Sequence, residues 1–320
     1  MGGGTDYPYW FRQHGGAVLS CTIDQYAYIS LRRMPPFLGT KYRVFWSQSE
    51  AVDRLEDIRH NGVRGCLQYL KIEDGIEVNH AGDLPARSGL GSSSCFTVGM
   101  LHACHAMMGR YVPKSRLAQE AIVVEQDVLR ETVGVQDQIE CAHGGLNYVE
   151  IRRDGGYELH PVPMTSVGRR ALEDRLVLVF TGLQRYATEI AAAQVTNAER
   201  KEAELHAIAA MVPRAMDALA GGRLDDFGRM LHEAWMVKRE LSDKVTTPEI
   251  DALYDRARHA GALGGKVLGA GGGGFMLLYV RPADWSAVAE ALEGAITVPV
   301  RFQWGGSQIV LYDPGLNGDR

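Results

Sequence analysis

The string Leu84-Pro-Ala-Arg-Ser-Gly-Leu-Gly-Ser-Ser-Ser-Cys95 constrains this chain more than any other stretch. Gly89 and Gly91 let the backbone enter φ > 0 and curl close to a ligand. Three consecutive serines then offer capping chemistry to a helical pattern that runs from Ser92 to about Met108. A helix N-terminus presents unpaired N–H groups and about half a positive charge, which suits a phosphate. A serine hydroxyl placed there can ligate Mg2+. The loop is not a Walker A sequence, because no Gly-Lys-Ser/Thr follows the glycines. Taken alone, the string also describes a plain serine-capped helix behind a flexible loop.

The flanking pattern places that loop among strands and helices. Residues 16–31 read as paired strands, 41–46 as a further strand, and IEVNH after Gly75 as a short strand leading into the loop. A second helix is expected from Lys114 to Leu129 behind Pro113, and HGGLNYVE reads as a turn and a returning strand. Near residue 165 the texture changes. RLVLVF (175–180) is a buried strand, three or four long helices fall between Tyr186 and His259, and a glycine run feeds MLLYV. A helix at 283–293 and strands near 297–303 and 308–312 finish the chain. Grouped strands and grouped helices imply an α+β fold rather than a doubly wound sheet, with domains at 1–165 and 166–320.

The 320 residues suit two domains and a well-buried core. With 34 Lys+Arg against 39 Asp+Glu, the net charge of −5 argues against a nucleic-acid surface. Five scattered cysteines without a CxxC pair read as reduced thiols of a cytoplasmic protein. No signal peptide is apparent and no apolar run reaches the roughly 18–20 residues that span a bilayer, so no membrane is expected. The 37 glycines cluster at Gly2–Gly4, around Gly89 and from Gly269 to Gly274, where ligand chemistry is expected.

Asp137 follows Glu125 by twelve positions and lies in Glu-Thr-Val-Gly-Val-Gln-Asp-Gln. Phosphoryl transfer to an alcohol needs a cation on the phosphates and a group that aligns the hydroxyl and accepts its proton. Two carboxylates on either side of a turn can divide those tasks. Acids at such spacing are also common on a solvated surface.

Pro-x-x-x-Gly-Leu-Gly-Ser-Ser resembles the ATP-binding motif of the GHMP kinases, whose members include galactokinase, homoserine kinase and mevalonate kinase relatives. The resemblance extends to Gly4-Thr5-Asp6-Tyr7 and to Gly269-Ala-Gly-Gly-Gly-Gly-Phe275, and so covers essentially the whole chain. It implies a ribosomal S5 domain 2-like N-terminal domain and a ferredoxin-like C-terminal domain, with the active site between them. It also implies ATP and Mg2+ as cofactors. By that likeness Gly89, Leu90, Gly91, Ser92, Ser93 and Ser94 wrap the ATP phosphates, and Ser93 and Glu125 hold the metal. Asp137 becomes the catalytic residue, as base or as orienter. Gly4, Thr5, Asp6, Gly271, Gly272 and Gly273 become substrate-binding.

GGGTDYPYWFRQHGGAVLSCTID, ARSGLGSSSCFTVGMLHA and FTGLQRYATEI look most like bacterial D-glycero-D-manno-heptose 7-phosphate kinases. That likeness implies phosphorylation at C1 of a sugar that already carries a phosphate, on the route to activated heptose for surface polysaccharide. Arg185 is the first choice for the existing phosphate, ahead of Lys244 and Arg12. Three alternatives stand beside it: a fucokinase-like enzyme acting on an unphosphorylated sugar, a catalytically silent sugar- or nucleotide-binding relative, and an ATP-dependent decarboxylase. In the family a strand carrying Pro-x-Arg precedes the first motif. The sequence opens at Met1-Gly2 without it, so reduced activity is expected for the chain as written. Cys95, His102, Cys104 and His105 share a helix but read as core rather than zinc ligands, and Trp235 reads as helix packing. A homo-oligomer is left open.

Overall fold

Pro8 presets the first turn of α1 (Pro8–His14) and Gly15 ends it, so β1 (Gly16–Cys21) starts at once. In the computed structural model, which describes residues 1–86, 88–182 and 198–313, the chain forms two compact units. The first contains Met1–Asp24, the short stretch ending at Leu90, and Gly145–Gln303. The second contains Gln25–Ala86, Gly91–Gly144 and the residues from Trp304 on.

In the first unit, β1 pairs antiparallel with β6 (Leu146–Ile151), and β6 with β7 (Tyr157–Pro161). α6 (Ser166–Glu173) starts where the Thr165 hydroxyl accepts from the Gly168 N–H, and it leads to β8 (Leu176–Phe180). The described helices that follow are α7 (Glu202–Ala220), α8 (Leu224–Arg239) and α9 (Pro248–His259). Then come β9 (Gly264–Val267), β10 (Phe275–Tyr279), α10 (Trp285–Ala291) and β11 (Thr297–Pro299). The second sheet runs β11-β8-β10-β9 with every neighbouring pair antiparallel, which is the ferredoxin-like arrangement. Trp235, Tyr254, Val267, Met276 and Leu278 belong to the buried cluster between this sheet and its helices, so Trp235 does pack helices.

Two expected strands near the C-terminus are shorter or missing. Pro299 ends β11 after three residues, and Phe302 makes only an isolated bridge to Ile23. Residues 308–312 form no strand at all: Val310 and Leu311 are 89% and 86% exposed, with no ladder among the described residues. Apolar, β-prone residues make a strand only when a partner takes their backbone groups.

In the second unit the sheet is β2-β5-β3-β4, built from β2 (Ala27–Arg33), β3 (Tyr42–Phe45), β4 (Ser49–Val52) and β5 (Ile76–Gly82). The β3–β5 pair is parallel and the others are antiparallel. β2 alternates half-buried and exposed positions, the pattern of a strand with one covered face. α3 (Ser92–Met107) supplies the cover, and Gly99 lets it approach so closely that a Cβ there would meet Ile29 Cδ1 at 2.6 Å. α2 (Asn61–Leu70), α4 (Lys114–Val123) and α5 (Gln136–His143) surround α3. α4 continues into one π-helical turn, Val124–Val128. Both units are α+β, and no described helix is long and apolar enough to cross a membrane.

Candidate active site

Gly91 caps α3 in the left-handed region at φ 67°, where a side chain would be strained. A Cβ there would also come within 3.0 Å of the Asp137 carboxylate, so that carboxylate rests against the α3 N-terminus. Asp137 stands in the first turn of α5, and Gln136 Nε2 donates to its Oδ1 at 3.1 Å. The loop glycine and the acidic residue named from the sequence, 46 positions apart, thus meet within one unit.

Glu125 lies on the π turn and is fully buried. π turns are frequent at functional sites because the extra residue re-aims a side chain. Its Oε2 accepts from Ser94 Oγ at 2.9 Å and from Gln138 Nε2. Burial pushes the carboxyl up to about 7, with hydrogen bonds from Ser94, Thr97 and Gln138 holding it back and Glu131 adding repulsion. Glu125 Oε1 and Gln138 Oε1 are buried without a hydrogen-bond partner among the described residues. Such orphaned acceptors are rare, and two hard oxygens of this kind fit Mg2+. The hydroxyl joined to Glu125 is that of Ser94, whereas Ser93 is exposed and its carbonyl accepts from Thr97 Oγ1 at 3.2 Å.

In the first unit, the glycine run after β9 packs backbone to backbone on Ser88–Gly89. A Cβ on Gly269 would sit 2.7 Å from Gly89 Cα, and one on Gly274 would sit 2.2 Å from Ser88 O. Phe275 N–H donates to Ser88 O at 3.0 Å, and Gly272 N–H to Val245 O at 2.8 Å. The opening glycines are equally integrated. Leu19 N–H donates to Met1 O at 2.9 Å, and the buried Thr5 hydroxyl lies 2.8 and 2.9 Å from Gly2 O and Ala17 O, which share its single hydrogen. Thr5 therefore clamps the turn onto β1. Asp6 is buried, its Oδ1 accepting from Gly4 N–H at 3.0 Å.

Two lysines that belong to none of the sequence motifs stand in the electrostatic range of Asp6. Buried Lys238 donates from Nζ to Gly269 O at 2.5 Å and to Val267 O at 3.3 Å, tying α8 to the glycine run. Burial holds its ammonium pKa well below the usual range, Lys266 adds repulsion, and Asp6 opposes both. Burial also lowers Lys266, again against Asp6. Neither lysine lies in a glycine motif. The only sequence signal is Lys266 opening the apolar approach to the glycine run. Arg185 lies outside the described residues, and Lys244 and Arg12 are exposed. Of the cysteine–histidine helix, His105 pairs with Glu120 at 2.6 Å and Cys104 is fully buried.

The GHMP kinase N-terminal domain model matches residues 60–145 and the GHMP kinase C-terminal model matches residues 215–295, together more than half of the chain. The chain belongs to the GHMP kinase family, whose kinases are ATP-dependent phosphotransferases with an alcohol group as acceptor. The D-glycero-alpha-D-manno-heptose 7-phosphate kinase of Campylobacter jejuni is 26% identical over 91% of this chain and 89% of that protein. The bifunctional fucokinase/GDP-fucose pyrophosphorylase of Arabidopsis thaliana is 26% identical over 69% of this chain and 22% of that protein, so the chain spans about a fifth of it. A crystal structure of a D-glycero-D-manno-heptose 1-phosphate kinase from Bacteroides thetaiotaomicron shares the fold, with TM-score 0.78 at 24% identity over 98% of this chain and 96% of that one.

Proposed function

We propose that the chain is a sugar kinase that transfers the γ-phosphate of ATP to the anomeric C1 hydroxyl of D-glycero-D-manno-heptose 7-phosphate, feeding activated heptose into surface polysaccharide. The observation that carries the phosphoryl-transfer reading is the Asp137 carboxylate resting against Gly91 at the start of α3. There the Ser92–Ser94 backbone N–H groups and the helix dipole hold the phosphates, and by the family likeness Gly89, Leu90 and Gly91 belong to the same phosphate-wrapping loop. Asp137 orients the acceptor hydroxyl and takes its proton. Glu125 and the exposed Ser93 hydroxyl hold Mg2+, with Ser94 and Gln138 orienting the carboxylate. Bound magnesium would supply charge neutralisation on the phosphates. Gly4, Thr5, Asp6 and Gly271–Gly273 serve the sugar, and Arg185 its existing phosphate. The division into a family N-terminal domain at 1–165 and a C-terminal domain at 166–320, and a cytoplasmic location, belong to the same proposal.

The Campylobacter jejuni relative supports the heptose assignment, because it matches nearly end to end. ADP release measured with heptose 7-phosphate beside fucose and mannose tests it. Turnover with heptose 7-phosphate and a 1,7-bisphosphate product is expected. Turnover on fucose or mannose alone sinks the heptose assignment and favours the fucokinase-like reading. Asp137→Asn is expected to lower kcat by about 10²–10⁴-fold while ATP binding persists. Unchanged turnover in that variant would remove Asp137 from the mechanism.

A further inference from the structure

We propose that His14, Glu202 and His206 form a binding site for a divalent transition ion of the zinc class on the first unit. His14 Nε2 and His206 Nε2 each lie 3.6 Å from Glu202 Oε1. One ligand atom from each residue falls within 4.8 Å of the other two. A tetrahedral ion with bonds of about 2.0–2.1 Å sets its ligand atoms about 3.3–3.4 Å apart, so a small side-chain adjustment brings the three into range.

Two helices build this group, and one indole orients it. Glu202 and His206 are four residues apart in the first turns of α7 and so share a face, while His14 is the last residue of α1. The His14 ring stacks on Trp10 with centroids 4.3 Å apart, and His206 meets the same indole edge-on at 4.8 Å. Trp10 is itself fixed, 3% exposed and packed with Leu205, Ile208 and Leu241. The two imidazoles therefore meet edge to face at 5.0 Å on the solvent side of that indole, and the Glu202 carboxylate reaches both.

Two imidazoles and one carboxylate select a zinc-class ion over magnesium, which prefers an all-oxygen shell. Three protein ligands leave one position for water. The ion would join the elements on either side of the Gly4–Asp6 turn. α1 begins two residues after Asp6, and a Cβ on Gly4 would meet the α7 residue Leu205 at 3.1 Å. The site acts as a clamp on that turn.

The test uses the full chain stripped with a chelator, titrated with zinc chloride by calorimetry and with cobalt chloride by visible absorption. One equivalent of zinc is expected with a dissociation constant of about 1 µM or below. Cobalt is expected to give d–d bands without a thiolate charge-transfer band. His206→Ala, and separately Glu202→Gln, should weaken that equivalent by more than about tenfold while leaving the melting temperature in EDTA unchanged. Magnesium chloride should not compete. No zinc equivalent above buffer, equal binding in both variants, or a thiolate band showing cysteine ligation would each overturn the site.

Discussion

Gly91 and Asp137 constrain each other. A methyl group on Gly91 would meet both a left-handed backbone at φ 67° and the Asp137 carboxylate at 3.0 Å. Gly91→Ala is therefore expected to destabilise the fold by about 1–2 kcal/mol through backbone strain. Its effect on kcat should be larger than that loss, because the carboxylate is pushed off the start of α3. Thermal melting and steady-state kinetics on one preparation check this, and a kcat close to that of the unaltered chain would show that the contact is incidental. Glu125 makes a prediction of opposite character. Its carboxyl titrates at about 7 in the fold against 4.5 as a free side chain. Below pH 4.5 both folded and unfolded states hold the proton, and the group has no effect on stability. As pH rises toward 7 the unfolded chain releases its proton first, so the folded state loses about 3 kcal/mol of relative stability, complete above pH 7. Glu125→Gln removes that penalty. In EDTA its stability relative to the parent should rise between pH 5 and pH 8, while magnesium-dependent turnover collapses. Denaturant titrations at the two pH values decide it, and a gap that does not change with pH excludes the buried carboxyl as its source.

Among the elements, α3 was readable in advance because its requirements are local: a left-handed glycine, serines at the start, and an apolar run behind them. Glu125 lay in an anticipated helix, but its π turn did not show, since the extra residue answers to what packs around α4. The short helices α2 and α5 leave no clear local signal, because their burial comes from α3 and eight or ten residues carry little periodicity of their own. The apolar stretch at 308–312 differs in the opposite sense, with strand propensity and no partner strand among the described residues. Packing of α8 on β9 depends on paired glycines. A Cβ on Gly264 would lie 2.0 Å from Gly228 O, and one on Gly228 would lie 2.5 Å from Tyr279 Cδ1. Gly228→Ala is thus expected to destabilise the protein by about 1–3 kcal/mol through overpacking. The same shift would loosen Lys238, which leaves the end of α8 to hold the glycine run. A melting temperature equal to that of the parent would contradict this close approach of α8 to the Tyr279 ring.

Over the whole molecule, the compact units do not follow chain order. Residues 1–24 join 145–303, and the intervening chain forms most of the second unit. Ligands that bind only the folded chain stabilise it by mass action, so ATP with magnesium at about 100 times its dissociation constant should add about 2.7 kcal/mol. Asp137→Asn should retain that gain and Glu125→Gln should lose most of it. Calorimetric melting of the three proteins separates phosphate holding from catalysis, and equal gains in all three would detach Glu125 from the nucleotide. The sequence itself determined the local requirements: glycines where φ must turn positive, serines where helix N–H groups stand open, and strings that resemble the motifs of the GHMP kinases. These are demands on neighbouring backbone, and residue types alone express them. Only the tertiary structure decided that Ser94 rather than Ser93 donates to Glu125, that Lys238 and Lys266 stand near Asp6, and that His14 meets Glu202 and His206. Those facts depend on burial and on residues more than thirty, and up to some 260, positions apart meeting in space, for which no local pattern exists.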